Sequence, residues 1–201
     1  MTTTPVFDDY SRYYDLLYND KDYAGEVEYI DSLLKEYGIS GNELLEFGSG
    51  TGKYGRLLAE KGYNVFGIER SQKMVAETRQ TAGFICQEDD IRSVSLGRTF
   101  DAVLALFHVI SYQTSNRDLQ AVFQQAALHL EKGGLFIFDV WYAPAVLEQR
   151  PIKKTKLFNS EIFNGVRIAE PHHKINDNTV DVKYNFQIQN KKTGEEDIFE
   201  E

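Results

Sequence analysis

Four glycines, Gly48, Gly50, Gly52 and Gly55, fall within eight residues directly after the run Leu44-Leu45-Glu46-Phe47. An amphipathic stretch carrying Leu57, Leu58 and Tyr63 follows, so the segment reads as strand, tight turn, helix. Glycines at such a turn let the backbone take positive φ and approach a ligand more closely than a β-carbon permits. Gly50-Thr51-Gly52-Lys53-Tyr54-Gly55 has the spacing of a dinucleotide fingerprint, and Glu69 follows at roughly the 20-residue separation from which an acid holds a ribose. A phosphate-binding P-loop does not fit, because Phe47 replaces its first glycine and Tyr54 replaces its Ser or Thr. Glu46 opposes a dinucleotide as well: its carboxylate stands where a pyrophosphate would be repelled, and it suits a ligand that presents a cation there.

Other chemistry-bearing residues stand where strands end, the usual ligand edge of an open α/β sheet. Glu69, with Arg70 beside it, closes Val65-Phe66-Gly67-Ile68 and offers two acceptor oxygens to a pair of hydroxyls. Asp90, after Glu88 and Asp89, follows the third strand, and Ile91 can complete recognition of a base through its backbone. Leu106 ends the fourth strand, which also delivers His108, an imidazole whose ordinary pKa suits proton transfer. Near the amino terminus, Tyr10, Tyr13, Tyr14, Tyr18 and Tyr23 crowd around Lys21. Aromatic faces attract cations, so this segment reads as a tyrosine-bearing lid, with Tyr14 a substrate contact that can assist deprotonation.

These residues need a scaffold. The spacing of Val27, Ile30, Leu33, Leu34 and Tyr37 predicts a helix over 22–37 with Gly38 as its stop. Strands are expected at 64–68, 84–86, 100–106 and 135–140, besides the one before the glycines. Ser71 caps a helix reaching about residue 81, and Asn116 caps another that shows Leu119, Val122, Phe123, Ala126 and Leu130 and stops at Gly133-Gly134. Alternating strands and helices imply a Rossmann-like, doubly wound, mostly parallel sheet. From Lys156 onward the period becomes two, with extended runs at 158–163, 166–170 and 180–189 and a hairpin turn at Asn164-Gly165, which predicts an antiparallel meander after the fifth strand. The expected organisation is a helical lid over 1–40, a ligand-binding domain over 41–150 and an auxiliary β layer over 151–201.

Composition narrows the partners. The 201 residues are 42% hydrophobic, enough for a packed core, and the formal net charge is −9. That balance argues against broad contact with nucleic acid or anionic membrane and leaves a small molecule as the expected partner. The single cysteine, Cys86, has no partner for an internal disulfide, which fits a cytoplasmic setting. No apolar run approaches the roughly 18 residues of a membrane helix, and Met1-Thr2-Thr3-Thr4 is no signal peptide. No cluster of His and Cys suggests a metal.

Glu46 followed by Gly48-Ser49-Gly50-Thr51-Gly52 resembles the first motif of the class I S-adenosylmethionine-dependent methyltransferases. Tyr14-Asp15-Leu16-Leu17-Tyr18, Lys21-Asp22-Tyr23, Asp90-Ile91-Arg92, Phe100-Asp101-Ala102-Val103 and Gly133-Gly134 narrow the likeness to enzymes that N-methylate the amino groups of nucleotide-linked deoxysugars, and to their unassigned relatives. The resemblance covers about residues 10 to 190. It implies S-adenosyl-L-methionine as cofactor, with Lys21 at its carboxylate, Glu46, Phe47, Gly48, Gly50 and Gly52 at the turn, Glu69 and Arg70 at the ribose, Asp90 and Ile91 at the adenine, and Leu106 packing beside it. His108 and Tyr14 would be catalytic, and Arg167 and His172 would meet a phosphate or sugar of the acceptor. The meander would cover the substrate and form a dimer contact. That family continues with a helix and two further strands, whereas five central strands are legible here. The expectation is a truncated chain, an edge covered by a second copy, or a reduced form that binds the cofactor without catalysis. A nicotinamide-dependent oxidoreductase stays as the rival reading of the glycine spacing.

Overall fold

The structure, a computed structural model, describes residues 11–201; Met1 to Thr4 and Tyr10 lie outside the described residues. It forms two compact units, Asp20–Trp141 and, separately, Tyr142–Glu201 joined by the residues up to Asn19.

In the first unit β1 (Glu43–Phe47), β2 (Asn64–Glu69), β3 (Phe84–Glu88), β4 (Phe100–Ala105) and β5 (Leu130–Phe138) make a five-stranded sheet of order β3-β2-β1-β4-β5. Every pairing is parallel. Here α2 (Tyr23–Glu36), α3 (Lys53–Glu60), α4 (Gln72–Glu77) and α5 (Asn116–Leu128) supply the helices. β4 is buried along its whole length, as its continuous apolar run requires. Leu45, Phe47, Ile68, Val103, Ala105, Val122 and Ala126 form one core against α5. Asp22 caps α2 by accepting from the Gly25 N–H at 2.9 Å, and Ser71 caps α4 by accepting from Met74 at 3.2 Å.

Two local expectations are corrected. Ser115, not Asn116, caps α5, its hydroxyl accepting from the Asp118 N–H at 3.0 Å. Gly133-Gly134 does not stop that helix. The buried imidazole of His129 sits at its end, with Nδ1 2.8 Å from the Gln125 carbonyl and Nε2 accepting from the Leu96 N–H at 3.1 Å. β5 therefore begins at Leu130 and runs through the glycines, where the pairing slips between Phe100 and Ala102. A β-carbon on Gly134 would stand 2.8 Å from the Asp101 carbonyl, so the glycine serves close strand approach.

The second unit holds α1 (Ser11–Leu17), α6 (Ala143–Gln149) and an antiparallel sheet of β6 (Lys154–Asn159), β7 (Phe163–Lys174), β8 (Thr179–Asn190) and β9 (Glu196–Glu200), in that order. Tyr13 and Leu17 pack on Phe158, Phe186 and Ile188. Asn164-Gly165 is not the hairpin turn: Asn164 pairs with Asn159 and Gly165 with Phe158 inside the ladder. The turn is Ser160 to Ile162, where the Ser160 hydroxyl accepts from the Phe163 N–H at 3.0 Å. Gly165 is required by packing, since a β-carbon there would meet the Phe158 ring at 2.7 Å and the Gln187 carbonyl at 2.5 Å.

Among the described residues no helix is long and apolar enough to cross a membrane.

Candidate active site

The carboxyl ends of β1 to β4 carry Phe47, Glu69, Glu88 and Ala105. The parallel register of β1 with β2 and β4, and of β2 with β3, therefore brings the glycine turn, Glu69, Asp90 and His108 to one edge of the sheet.

The turn is tied down from several sides. The N–H groups of Gly48 and Ser49 donate to the Ile68 carbonyl at 2.8 and 3.0 Å, and Arg56 Nη1 donates to the Thr51 carbonyl at 2.7 Å. The glycines differ in what they make room for. Beta-carbons on Gly52 and Gly55 would each lie 2.3 Å from the Phe84 ring, and one on Gly48 would lie 2.5 Å from Val109. Those three serve packing inside the protein. Gly50, at φ 55°, meets only Met74 Sδ at 3.7 Å, so it alone leaves open space where a ligand can approach the backbone.

Glu46 is 1% exposed and accepts a backbone hydrogen bond from Gly55, in the first turn of α3. Its Oε2 is buried without a hydrogen-bond partner. Burial first, and the nearby Glu69 second, push its carboxyl up to about 8. Since Gly52 brings no side-chain cap to α3, Glu46 supplies the acceptor that a capping residue would have given. Glu69 is also buried, with Oε2 accepting from Gly50 at 3.0 Å and Oε1 from Ser71 at 2.8 Å. Burial raises this carboxyl too, against the backbone donors that lower it. The Arg70 N–H donates to it as well, so three of the four acceptor directions of the carboxylate are taken and one more hydrogen bond can be accepted.

Asp90, expected to accept from an adenine amino group, is already held by Arg92: Nε lies 2.9 and 3.1 Å from the two oxygens, and Nη2 lies 2.5 Å from Oδ2. These bonds hold its carboxyl below the usual carboxylate range. Ile91 is half-buried against the core, Arg70 is exposed, and Leu106 is buried beyond β4.

Lys21, expected at a ligand carboxylate, forms an ion pair with Glu26. Its ammonium stands 4.4 Å from the centre of the Phe107 ring, 5.3 Å from that of Tyr23 and 5.8 Å from that of Tyr54.

Phe107 and His108 have φ of 62° and 67°, a conformation that side-chain-bearing residues rarely hold and that is found at functional sites. His108 Nδ1 lies 2.7 Å from Asp139 Oδ2. Trp141 packs edge-on to the imidazole at 6.3 Å between ring centres. Asp139 is absent from the sequence-based candidates, although the strand-end rule that selects Glu69 also points just beyond β5, where it stands.

The remaining candidates belong to the second unit. Tyr14 packs on Tyr18, with 4.8 Å between ring centres. Arg167 Nη1 donates to the Tyr18 hydroxyl at 3.2 Å, and its guanidinium lies 5.0 Å from the Tyr184 ring centre. His172 is exposed and pairs with Asp181. In an uninterrupted ladder, Arg167 and His172 stand on opposite faces of the strand, about 17 Å apart, so the structure does not bring them together. No group of three or more His, Cys, Asp or Glu among the described residues could hold a metal.

Residues 44–134 match a family model described as a methyltransferase domain. The chain is 30% identical over 139 residues to the dTDP-3-amino-3,4,6-trideoxy-alpha-D-glucopyranose N,N-dimethyltransferase of Streptomyces venezuelae, covering 68% of this chain and 59% of that protein. The chain belongs to the class I S-adenosylmethionine-dependent methyltransferases. A second methyltransferase, the dTDP-3-amino-3,6-dideoxy-alpha-D-glucopyranose N,N-dimethyltransferase of Streptomyces fradiae, is 31% identical, with 65% of this chain and 52% of that protein covered. The chain thus spans less than two thirds of the length of either methyltransferase. The crystal structure of Streptomyces venezuelae DesVI superposes with a TM-score of 0.83 at 25% identity, covering 96% of this chain and 81% of that one.

Proposed function

We propose that this chain is an S-adenosylmethionine-dependent N-methyltransferase acting on an amine of a small molecule, an amino sugar or a similar compound. The observation that carries the reading is the convergence of an open glycine, Gly50, with the Glu69 carboxylate and the His108 imidazole at one sheet edge, in a chain related to amino-sugar N,N-dimethyltransferases.

The residues fit the expected cofactor. Gly50 offers room beside its backbone, Glu69 keeps acceptor capacity for one ribose hydroxyl, and Asp90, Ile91 and Leu106 line the next strand ends. Lys21 and Arg70 complete the set that would hold it, while the buried Glu46 and Phe47 and the packed Gly48 and Gly52 would act by shaping the turn. When bound, S-adenosylmethionine supplies an electrophilic methyl group on a sulfonium. An acceptor amine must be neutral to attack, and we assign the removal of its proton to His108, a reading supported by its position just beyond β4. Holding the amine at near-attack distance accounts for much of the rate in such a displacement. Tyr14, Arg167 and His172 are proposed acceptor contacts.

A small acceptor agrees with the acidic surface, and a cytoplasmic setting agrees with the free, buried thiol of Cys86. Phe123, Phe136 and Phe138 leave an aromatic, part-exposed face at the β5 edge. That edge, or alternatively the auxiliary sheet, is the proposed contact of a homodimer.

Titration calorimetry with S-adenosylmethionine, followed by product detection across amino sugars and small amines, tests the reading. Binding with turnover supports it. Binding without turnover across a broad panel favours a non-catalytic cofactor-binding protein. Absence of binding at millimolar concentration, with tight binding of NAD instead, overturns it.

A further inference from the structure

We infer that Asp139 is the positioning residue of this site: its carboxylate fixes the tautomer and orientation of His108 and holds the left-handed turn on which His108 stands. The inference rests on His108 accepting the acceptor's proton.

Asp139 meets the turn at three points. The backbone N–H of His108 donates to both of its oxygens, at 3.1 and 3.0 Å, and the N–H of Phe107 also donates to it. Successive N–H groups of this turn thus converge on one carboxylate, which offsets the strain of the left-handed Phe107 and His108. The third contact is the imidazole: Nδ1 lies 2.7 Å from Oδ2, within ion-pair reach but not aligned as a hydrogen bond. A carboxylate can only accept, so this proximity favours the tautomer with hydrogen on Nδ1. The other ring nitrogen, Nε2, then holds the lone pair. In the reaction the acceptor's ammonium proton passes to Nε2, and the resulting imidazolium is stabilised by the charge of Asp139. Burial raises the Asp139 carboxyl, but its bonds to His108 outweigh that effect and keep it below the usual range, so it is ionised at neutral pH. The side chains of His108 and Asp139 are 39% and 42% exposed, so an acceptor can reach the imidazole.

The test uses Asp139→Asn. Its amide oxygen can still accept from the His108 N–H, which preserves the turn, while its amide nitrogen can donate to Nδ1 and so favour hydrogen on Nε2. Two-bond proton–nitrogen correlation spectra report the tautomer of each neutral imidazole, and the His108 signal is identified by its loss in His108→Gln. The expected result is Nδ1–H in the wild type and in Asp139→Glu, and Nε2–H in Asp139→Asn, with kcat of Asp139→Asn down roughly 10- to 100-fold at little change in KM. Hydrogen on Nε2 in the wild type overturns the inference, even if the variant fails to fold. An unchanged tautomer in a folded Asp139→Asn overturns it as well. A switched tautomer with unchanged turnover leaves Asp139 as the group that orients His108 and removes His108 from the chemistry, so the two readings fail separately.

Discussion

A β-carbon on Gly52 would lie 2.3 Å from Cε1 of Phe84, the residue that opens β3. The same ring blocks Gly55, so one buried phenyl group demands two of the four glycines. Gly52→Ala must move that ring and also hold a left-handed φ of 78°. The backbone contribution alone is about 1 to 3 kcal/mol. Urea unfolding should show a lower midpoint at unchanged slope, and calorimetry a weaker affinity for S-adenosylmethionine. Wild-type stability in Gly52→Ala would mean that Phe84 yields easily.

Glu46 gives a pH prediction. Its carboxyl titrates near 8 in the fold against 4.5 as its ordinary value. Between these values the folded protein keeps a proton that the unfolded chain has lost, so this group makes stability fall as pH rises through the window. Glu46→Gln keeps an acceptor for Gly55 and cannot ionise. It should match the wild type near pH 4.5 and exceed it above pH 8, by on the order of 2 to 4 kcal/mol. Parallel wild-type and variant curves across the range would contradict the buried, protonated carboxyl.

Glu69 is expected to serve twice, because it braces Gly50 and Ser71 and retains acceptor capacity for a ribose. Glu69→Ala should weaken S-adenosylmethionine binding by at least about 10-fold and also lower stability, since two buried N–H groups lose their acceptor. Glu69→Gln should restore most of the stability and less of the affinity. Full affinity in Glu69→Ala would remove it from the cofactor site.

His108→Ala should lower methyl transfer by about 100-fold or more, the usual effect of losing a positioned base, while the dissociation constant for S-adenosylmethionine stays nearly constant. Stopped assays with saturating cofactor, alongside calorimetry, separate the two. Unchanged turnover would take His108 out of the mechanism.

The parallel sheet was legible because its signals are local. The buried run at β4, the glycine turn and the spaced apolar residues of α2 each lie within one stretch of chain. What stayed hidden depended on partners remote in sequence. Asn164-Gly165 carries hairpin letters, yet Gly165 is claimed by Phe158 across the ladder. Gly133-Gly134 looks like a helix stop, but His129 provides that stop by bonding to Leu96 and to its own helix. The site divides in the same way. Strand-end position indicated Glu69 and His108, whereas the attachment of Asp139 to His108, 31 residues away, required the β4–β5 register to be seen.

The two units differ in how their chain is laid out. Asp20–Trp141 is contiguous, while the other unit is built from residues at both ends of it. Tyr13 hydrogen-bonds Asp197 across 184 residues of sequence. During synthesis the parallel sheet can assemble from a finished stretch, but α1 has no sheet to dock on until β6 to β8 have emerged. Until then its apolar side, with Tyr13 and Leu17, is open to other partners. Chaperone dependence and premature aggregation should therefore respond to changes on α1 more than to changes in the glycine turn.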